Sequence, residues 1–321
     1  MTKENPKISI IGFGNVGVRY AYAAIIRGIA RTIVAVDIEK ERMEGEVIDL
    51  SHTAPFTDKI NILAGDYDDI GGSDLVVITA GKNQEAGQTR LDIAKGNVEL
   101  FKKIIPKIYK HAPTAVYLIV SNPVDILSYA TYKISGKNWR EIIGSGTTLD
   151  TARLRYTLAD HCDLDPKNIH GYILGEHGDT EVPIWSRALI GGLLFNDYCQ
   201  QCSKIEQCNQ EEALDGLFQK VRDSAYTIIE KKGETSYGIG LSLVRISQAI
   251  LNNENHILPV SCYIEDYLEI NDIYFSLPAI LNRGGVREIL KLELNEKEKE
   301  QLRHSAETLK GVIEDTGLNN L

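Results

Sequence analysis

The chain has 321 residues, of which 43% are hydrophobic and 25% are charged, and this balance suits a globular protein with a sizeable core. Its formal charge of −10 disfavours binding to nucleic acid or to a membrane surface, because both need a basic face. No apolar run approaches the roughly 18 residues of a membrane-spanning helix. The segment 1–7 is short and polar, unlike a secretion signal.

The five cysteines are an odd number, which indicates free thiols in a reducing cytoplasm rather than a disulfide framework. Cys199, Cys202 and Cys208 lie close together, and the first two have the spacing of half a zinc site. No second pair stands at a suitable distance. We therefore expect a cytoplasmic protein without a metal.

The first half of the chain alternates apolar runs with helical patterns. The apolar runs predict strands at residues 7–11, 32–36, 75–79 and 115–120. Helical patterns at 16–28 and 39–50 follow the first two of them. Strands that are apolar throughout are typical of a parallel sheet with helices on both faces. We therefore predict an α/β fold with a doubly wound parallel sheet over residues 1–145.

The pattern changes after about Gly144, where helices dominate. The predicted helices span residues 149–160, 211–232, 237–252 and 296–314, and strand-like pieces span 169–174, 256–263 and 273–280. We expect residues 146–321 to form a mixed α+β domain that completes the site and holds the substrate.

A glycine-rich turn follows the first predicted strand. Gly12, Gly14 and Gly17 have the G-x-G-x-x-G spacing, which permits a tight turn, close approach of a pyrophosphate and close packing of helix and strand. Asp37 ends the next strand 20 residues later, where a carboxylate accepts hydrogen bonds from ribose hydroxyls and repels a 2′-phosphate. The sequence therefore predicts a Rossmann-type site for NAD rather than NADP.

Hydride transfer between a nicotinamide cofactor and a keto acid also needs a proton donor, a cation and an anchor for the carboxylate. His177 stands between glycines in residues 175–178, so a ligand can approach its ring. Asp150 would orient that histidine. Arg153, three residues later on the same helical face, would grip the carboxylate. From spacing alone, Asp150 and Arg153 could equally form a surface ion pair.

The segment 81–92 is polar and contains two glycines, and it lies between a strand end and a helix. Such a loop can close over a ligand and exclude water. Arg90 would then polarise the substrate carbonyl, although the bare pattern suits a solvated surface loop equally well.

The motifs at residues 12–17, 81–90, 121–125, 149–153 and 175–180 together resemble the lactate/malate dehydrogenase superfamily, and in particular bacterial L-lactate dehydrogenases. The resemblance runs in order over nearly the whole chain. It implies roles for four catalytic residues, namely an acid/base, its partner, a carboxylate anchor and a mobile polariser: His177, Asp150, Arg153 and Arg90.

The resemblance also implies contacts to substrate and cofactor. Asn122 and Thr235 match substrate contacts. The positions that match the NAD site are Val16, Asp37, Arg42, Tyr67, Gly81, Lys82, Val120 and Ser145. Ser121 and Asn122 join them because ligands bind at the carboxyl ends of such strands.

Gln84 occupies the position that discriminates between substrates in this superfamily. Malate-type enzymes have arginine there, and a neutral glutamine leaves the second carboxylate of oxaloacetate without a counter-charge, at a penalty of several kcal/mol. We therefore predict pyruvate and L-lactate as substrates. Glu85 and Ala86 replace the usual lysine and proline, from which we expect a modestly altered KM. The alternatives are a malate or branched 2-hydroxy-acid dehydrogenase, and a non-catalytic NAD-binding protein.

Arg155 lies two residues beyond Arg153, so on a helix it points about 200° around the axis. His170 lies on the predicted strand before the catalytic turn. Taken singly, these are compatible with a surface arginine and a strand histidine. The resemblance implies that they bind fructose 1,6-bisphosphate across a subunit interface of a homotetramer. Basic groups from two subunits repel until a bisphosphate neutralises them, so the ligand would favour the assembled state.

Overall fold

The computed structural model describes residues 5–82, 90–202 and 211–320, with the side chains of residues 90, 91, 211, 212 and 320 excepted. Within that part of the chain the central feature is a nine-stranded sheet. Its first six strands are β1 (Lys7–Ile11), β2 (Thr32–Val36), β3 (Asn61–Ala64), β4 (Leu75–Ile78), β5 (Val116–Ile119) and β6 (Ile142–Gly144). They are parallel and lie in the order β3-β2-β1-β4-β5-β6, which is the Rossmann order.

Four helices connect these strands: α1 (Asn15–Ile26), α2 (Lys40–Ser51), α3 (Arg90–His111) and α4 (Val124–Ser135). All residues of β4 and β5 are buried, because helices cover the sheet and leave no polar face. The prediction of a doubly wound parallel sheet is confirmed. β3 and β6 were not predicted from the sequence.

The second half of the chain extends the same sheet with three antiparallel strands. These are β12 (His256–Ile264), β13 (Ile273–Asn282) and β14 (Gly285–Ile289), and β12 joins β6 where Ser261 pairs with Gly144. The helices of this half are α5 (Thr148–Cys162), α6 (Phe195–Gln201), α7 (Glu211–Lys232), α8 (Tyr237–Leu251) and α9 (Glu296–Asp315). The mixed α+β character expected of this half is therefore confirmed.

Short strands lie between α5 and α6: β7 (Ile169–His170), β8 (Ile173–Leu174), β9 (Val182–Pro183), β10 (Leu189–Ile190) and β11 (Leu193–Leu194). The prediction of one strand over 169–174 was wrong, because β7 pairs with β10 and β8 pairs with β9. The break has a local cause in α5. Thr151 Oγ1 accepts the Ile173 N–H at 2.9 Å, and Thr147 Oγ1 donates to the Ile173 carbonyl at 2.5 Å.

A second, smaller core lies beneath α5 and fixes its orientation. It contains Leu154 and Leu158 of α5, with Phe195 and Val221 from α6 and α7. The start of α5 is tied to β12, because Thr148 Oγ1 donates to the Pro259 carbonyl at 2.9 Å. α5 is thereby held at the carboxyl edge of the large sheet. No helix in the described ranges combines the length and apolar character that crossing a bilayer requires.

Candidate active site

The catalytic loop, residues 175–181, leaves the end of β8 and returns into β9. Its first residue, Gly175, exchanges two backbone hydrogen bonds of 3.0 Å with Ser276 of β13. Gly175 has φ +98°, and a Cβ there would lie 2.9 Å from Ser305 Oγ. Only glycine suits this turn, because other residues strain the backbone at such a φ and would clash here.

Three helices hold this loop. Ser305 of α9 accepts the Glu176 N–H at 2.9 Å, and the Thr180 hydroxyl lies 3.0 Å from Ser305 Oγ. Asp125 of α4 accepts the His177 N–H at 2.8 Å. Tyr226 of α7 donates its hydroxyl to an Asp179 carboxylate oxygen at 3.1 Å. The backbone of the loop is therefore fixed from several sides.

Asp150 joins the histidine and the arginine that the sequence singled out. His177 Nδ1 lies 2.6 Å from Asp150 Oδ2, and Arg153 Nη1 lies 2.7 Å from Asp150 Oδ1. The Asp150 side chain is only 5% exposed, whereas the His177 ring is 27% exposed. One carboxylate thus orients two side chains, and Nε2 of the imidazole remains for a ligand.

The site favours a protonated imidazole. Burial lowers the pKa of His177, but the carboxylates of Asp150, Glu181 and Asp125 outweigh it and raise that pKa from 6.5 to about 9. For Asp150 the directions are reversed. Burial raises its pKa, but the adjacent imidazolium and the Arg153 guanidinium bring that pKa below its usual value. The pair therefore carries opposite charges at neutral pH.

Two further buried carboxylates surround this pair. Burial raises the pKa of Asp125 to about 6. Burial and the neighbouring Asp150 charge raise the pKa of Glu181. An oxygen of Glu181, an oxygen of Asp150 and a ring nitrogen of His177 lie within 4.8 Å of one another. These donor atoms suit a cation, but both oxygens of Asp150 are already bonded to His177 and Arg153, which favours acid/base use of the cluster.

The glycine turn has the features that a dinucleotide needs. Gly12 has φ +95°, and a Cβ there would lie 2.4 Å from the backbone nitrogen of Ala80. A Cβ on Gly17 would lie 2.4 Å from the Gly12 carbonyl oxygen. A Cβ on Gly14 would meet nothing within 4 Å, so the space beside it is open. Gly14 precedes α1 without a capping side chain, which leaves N–H groups of α1 for a pyrophosphate.

Asp37 stands at the end of β2 and faces this turn. Its carboxylate accepts the N–H groups of Phe13 and Glu39, the second at 2.9 Å. Arg42 reaches Asn15 at the start of α1, with Nη2 3.1 Å from Oδ1. These residues fit the ribose and pyrophosphate of NAD, since a carboxylate keeps lone pairs for hydroxyls and a guanidinium attracts phosphate.

The remaining predicted cofactor residues line the carboxyl ends of the same strands. Burial raises the pKa of Tyr67, and the nearby Asp66 and Asp37 charges add to the increase. Asn97 of α3 accepts the Lys82 N–H at 2.7 Å and donates to the Asn122 carbonyl at 2.8 Å. It thereby ties the ends of β4 and β5 together. The other positions at this edge are Val16 on α1, Gly81, Val120, Ser121 and Ser145.

Other predicted residues lie outside the described part of the chain or in a further segment. Gln84, Glu85 and Ala86 lie outside the described residues, and Arg90 starts α3 without a described side chain. Thr235 lies in the segment between α7 and α8. A Cβ on Gly238, three residues later, would lie 3.0 Å from Leu149 Cδ1. The start of α8, which follows that segment, therefore approaches the start of α5.

Arg155 lies on the opposite side of α5 from Arg153. Its Nε and Nη2 donate to the Gly171 carbonyl at 3.4 and 3.3 Å. His170, the residue before Gly171, is exposed on β7. Burial lowers the pKa of His256, and the nearby Arg245 and Arg155 charges lower it further. Arg155 and Arg245 therefore both lie near His256, away from the catalytic loop.

Sequence reasoning missed several residues that build the site: Asn97, Glu181 and Ser305, together with the role of Asp125. Asp125 lies in a motif that was recognised, but its partner His177 is 52 residues away in the chain. Ser305 lies 129 residues from Glu176, so no local spacing links them. Glu181 follows the catalytic motif directly, and its place four residues after His177 was the one available signal.

The fold and this site define an NAD-linked oxidoreductase in which a histidine is hydrogen-bonded to a buried aspartate. Residues 6–144 match the NAD-binding domain of lactate/malate dehydrogenases, and residues 147–318 match their alpha/beta C-terminal domain. The chain belongs to the lactate/malate dehydrogenase family. The prediction of NAD as cofactor is confirmed by this match.

The chain is also similar over its full length to individual lactate dehydrogenases. L-lactate dehydrogenase 2 of Bacillus anthracis is 49% identical over 314 residues, which cover 98% of this chain and 99% of that protein. L-lactate dehydrogenase 1 of Listeria monocytogenes serovar 1/2a is 47% identical over 313 residues, or 98% of each chain. A solved lactate dehydrogenase from a Medee basin deep-sea metagenome library superposes with a TM-score of 0.94 at 44% identity. The match covers 99% of this chain and 100% of that one.

Proposed function

We infer that this chain is an NAD-dependent L-lactate dehydrogenase, which interconverts pyruvate and L-lactate. The observation that carries the inference is the Asp150 carboxylate, bonded at once to His177 and Arg153 beside the carboxyl edge of the dinucleotide-binding sheet. His177 reaches that edge through Asp125, which lies three residues after Asn122 at the end of β5. The full-length similarity to L-lactate dehydrogenases supports the choice of substrate.

The geometry supports one assignment of roles to the cofactor and the side chains. NAD, when bound, supplies the hydride acceptor for lactate, and NADH supplies the hydride for pyruvate. His177 donates the proton from Nε2 to the carbonyl oxygen, because Asp150 holds its Nδ1 at 2.6 Å. Arg153 uses one N–H for Asp150, and its guanidinium keeps four further N–H groups for the substrate carboxylate.

We propose that the loop residues complete this pocket, with Arg90 polarising the carbonyl and Gln84 selecting against a second carboxylate. Asn122 and Thr235 would contact the substrate from the ends of β5 and of α7. We also propose that the division of the chain at residues 145/146 separates cofactor functions from substrate functions.

The decisive experiment compares initial rates of NADH oxidation with pyruvate and with oxaloacetate, side by side. We expect a strong preference for pyruvate. A Gln84→Arg variant should gain activity with oxaloacetate, because the new cation pairs with the second carboxylate. A wild-type preference for oxaloacetate would instead assign the chain to the malate side of the family. NADH binding without turnover of either acid would favour a non-catalytic NAD-binding protein.

We propose that the active form is a homotetramer. Large apolar side chains are exposed on α1, α2 and α8 and just after α2; Phe56 is 88% exposed and Tyr237 is 69% exposed. Tyr22, Ile26 and Phe56 line one surface groove of ≈ 590 Å³. Apolar patches of this kind favour subunit contacts. Analytical ultracentrifugation at micromolar concentration tests the proposal, and a monomer under all conditions would contradict it.

We propose that Arg155 and His170 bind fructose 1,6-bisphosphate. The support is the position of both residues beside Gly171, remote from the catalytic loop, with the Arg155 guanidinium close enough to His256 to lower its pKa. Pyruvate saturation curves at neutral pH, with and without the bisphosphate, test this. Activation should disappear in Arg155→Ala, while the rate at saturating pyruvate remains. Identical wild-type curves would rule out the activation.

We propose a cytoplasmic location, because the five cysteines are an odd number and do not suit the disulfide framework of a secreted protein. Fractionation of source cells, followed by detection of the chain in the cytosolic fraction, tests this proposal.

A further inference from the structure

Glu181 is a buried carboxylate that the acid/base mechanism above does not use. One of its oxygens lies within 4.8 Å of both an Asp150 oxygen and a His177 ring nitrogen. We propose that Glu181 is a positioning residue for the catalytic proton, and that its carboxylate acts with Asp150 to hold the imidazolium form of His177. The inference rests on the proposed function, since it assigns a role within that same site.

The charges around His177 and Glu181 come from four elements. α5 contributes Asp150 and Arg153, α4 contributes Asp125, and α7 contributes Arg222. The catalytic loop itself contributes Glu181, together with Glu176, which acts on Asp125. With Glu181 ionised, which its raised pKa of about 8 places toward alkaline pH, the inner group of Asp150, Glu181, Arg153 and His177 sums to zero charge when the imidazole is protonated and to −1 when it is neutral. A buried cluster with an excess charge is disfavoured, so the cluster retains the proton.

Because Glu181 is buried, its ionisation is tied to the charge of His177. Burial and the Asp150 charge raise the pKa of Glu181, so its ionised form needs a cation nearby. The imidazolium of His177 is that cation, and the two charged forms support each other. Arg222 acts from farther out, because its Nη1 donates to the Asp179 carbonyl at 3.5 Å and its Nη2 donates to Gln219. Removal of the Glu181 charge should therefore weaken the hold of His177 on its proton.

The test is the pH dependence of kcat/KM for pyruvate at saturating NADH, in wild type and Glu181→Gln. Reduction needs the protonated imidazole, so activity falls as pH rises through the midpoint of that group. We expect Glu181→Gln to lower the midpoint by about one pH unit, the order of a Coulomb interaction at this distance after screening. The rate of lactate oxidation at saturating NAD rises with pH. The midpoint of that rise should shift downward by the same amount.

Glu176→Gln is the matched control, because it removes the same charge from the same loop. Thr180 donates to the Glu176 carboxylate, and Asp150, Glu181 and Asp125 are the larger anionic influences on His177. Because Glu176 acts on His177 only through Asp125, we expect its midpoints to shift much less than those of Glu181→Gln. Glu181→Asp, which retains the charge, should shift the midpoint much less than Glu181→Gln. Glu181→Ala should reproduce the shift of Glu181→Gln and provides a second variant should the glutamine disturb folding.

A second readout does not depend on turnover. The chain has 7 histidines, so NMR of protein labelled with ¹³C at histidine Cε1 gives few signals, and His177→Asn identifies that of the catalytic residue. Its titration midpoint without cofactor should fall by about one pH unit in Glu181→Gln. Unchanged midpoints in both experiments, in a folded variant, would overturn the role of Glu181. Absence of pyruvate turnover in the wild type would instead overturn the proposed function, and the NMR result would then stand alone.

Discussion

The two sides of this site, the glycine turn on the cofactor side and the catalytic loop on the acid/base side, use different chemical groups. At the glycine turn, the contacts offered to the pyrophosphate are backbone N–H groups at the start of α1, beside the open space at Gly14. At the catalytic loop, buried side-chain charges face one another, and each one alters the pKa of the next. Binding at the backbone site depends on the shape of the turn, whereas the pKa values in the charge cluster depend on all of its charges together.

This difference separates the effects of substitutions. A change at the glycine turn should alter affinity for NADH and leave the pKa of His177 as it is. A change in the cluster should alter proton transfer and leave NADH binding intact. Each prediction below tests that separation, and the expected effects decrease from one to the next.

The largest effect should follow Asp150→Asn. The amide cannot stabilise the imidazolium and no longer fixes the ring tautomer through Nδ1, and it also loses the ionic contact with Arg153. We expect kcat/KM for pyruvate to fall by roughly 10³-fold, the scale of losing an orienting carboxylate. The Kd for NADH, measured by fluorescence titration, should change by less than about threefold, in keeping with the separation.

The control is Asp160→Asn, which removes a carboxylate from the exposed side of the same helix. Its kinetics should equal those of the wild type. A parallel loss of NADH affinity in Asp150→Asn would show that the two sides of the site are not independent.

Local spacing explains which parts were predictable from the sequence. Gly12, Gly14 and Gly17 lie within one turn, and Asp150 and Arg153 lie within one helical turn, so the chain itself sets their distance. The strands of the parallel sheet were recognisable because burial on both faces demands continuous apolar runs. The strand expected over 169–174 failed because Thr147, just before α5, and Thr151 of α5 bond to Ile173, and no pattern within that segment records those contacts.

Contacts between distant segments were not predictable. Asp125 lies 52 residues from His177, and Glu181 faces Asp150 from another element. Asn97 joins the ends of β4 and β5 from α3, although neither strand indicates that it needs such a link. The sequence thus predicts which chemistry is present, while the surrounding charges that set its pH range depend on the tertiary structure.

A smaller effect concerns stability and arises from the charge cluster. The pKa of His177 is raised from 6.5 to about 9, so its contribution to stability is full below pH 6.5 and is lost as pH rises through about 9. At roughly 1.4 kcal/mol per unit, the wild type should lose up to about 3 kcal/mol across this range on account of His177. His177→Asn should lack that loss. Urea unfolding at pH 6.5 and 9.5 measures both proteins.

The comparison between the two proteins removes contributions they share, such as that of Cys262, whose pKa burial raises to about 12. An equal loss of stability in both proteins would mean that His177 does not hold its proton in the folded state.

The smallest effect should follow Gly14→Ala at the cofactor side. Gly14 has φ −78°, which any residue adopts, and its Cβ would meet no atom within 4 Å. The fold should therefore tolerate the methyl group, with Tm unchanged within about 2 °C. The methyl would occupy the space of the pyrophosphate and displace it from the N–H groups of α1, so the Kd for NADH should rise about tenfold. Gly12→Ala should instead lower Tm, because its Cβ would lie 2.4 Å from the Ala80 nitrogen. If Gly14→Ala bound NADH as tightly as the wild type, the pyrophosphate would not lie against that turn, and the backbone half of the comparison would be wrong.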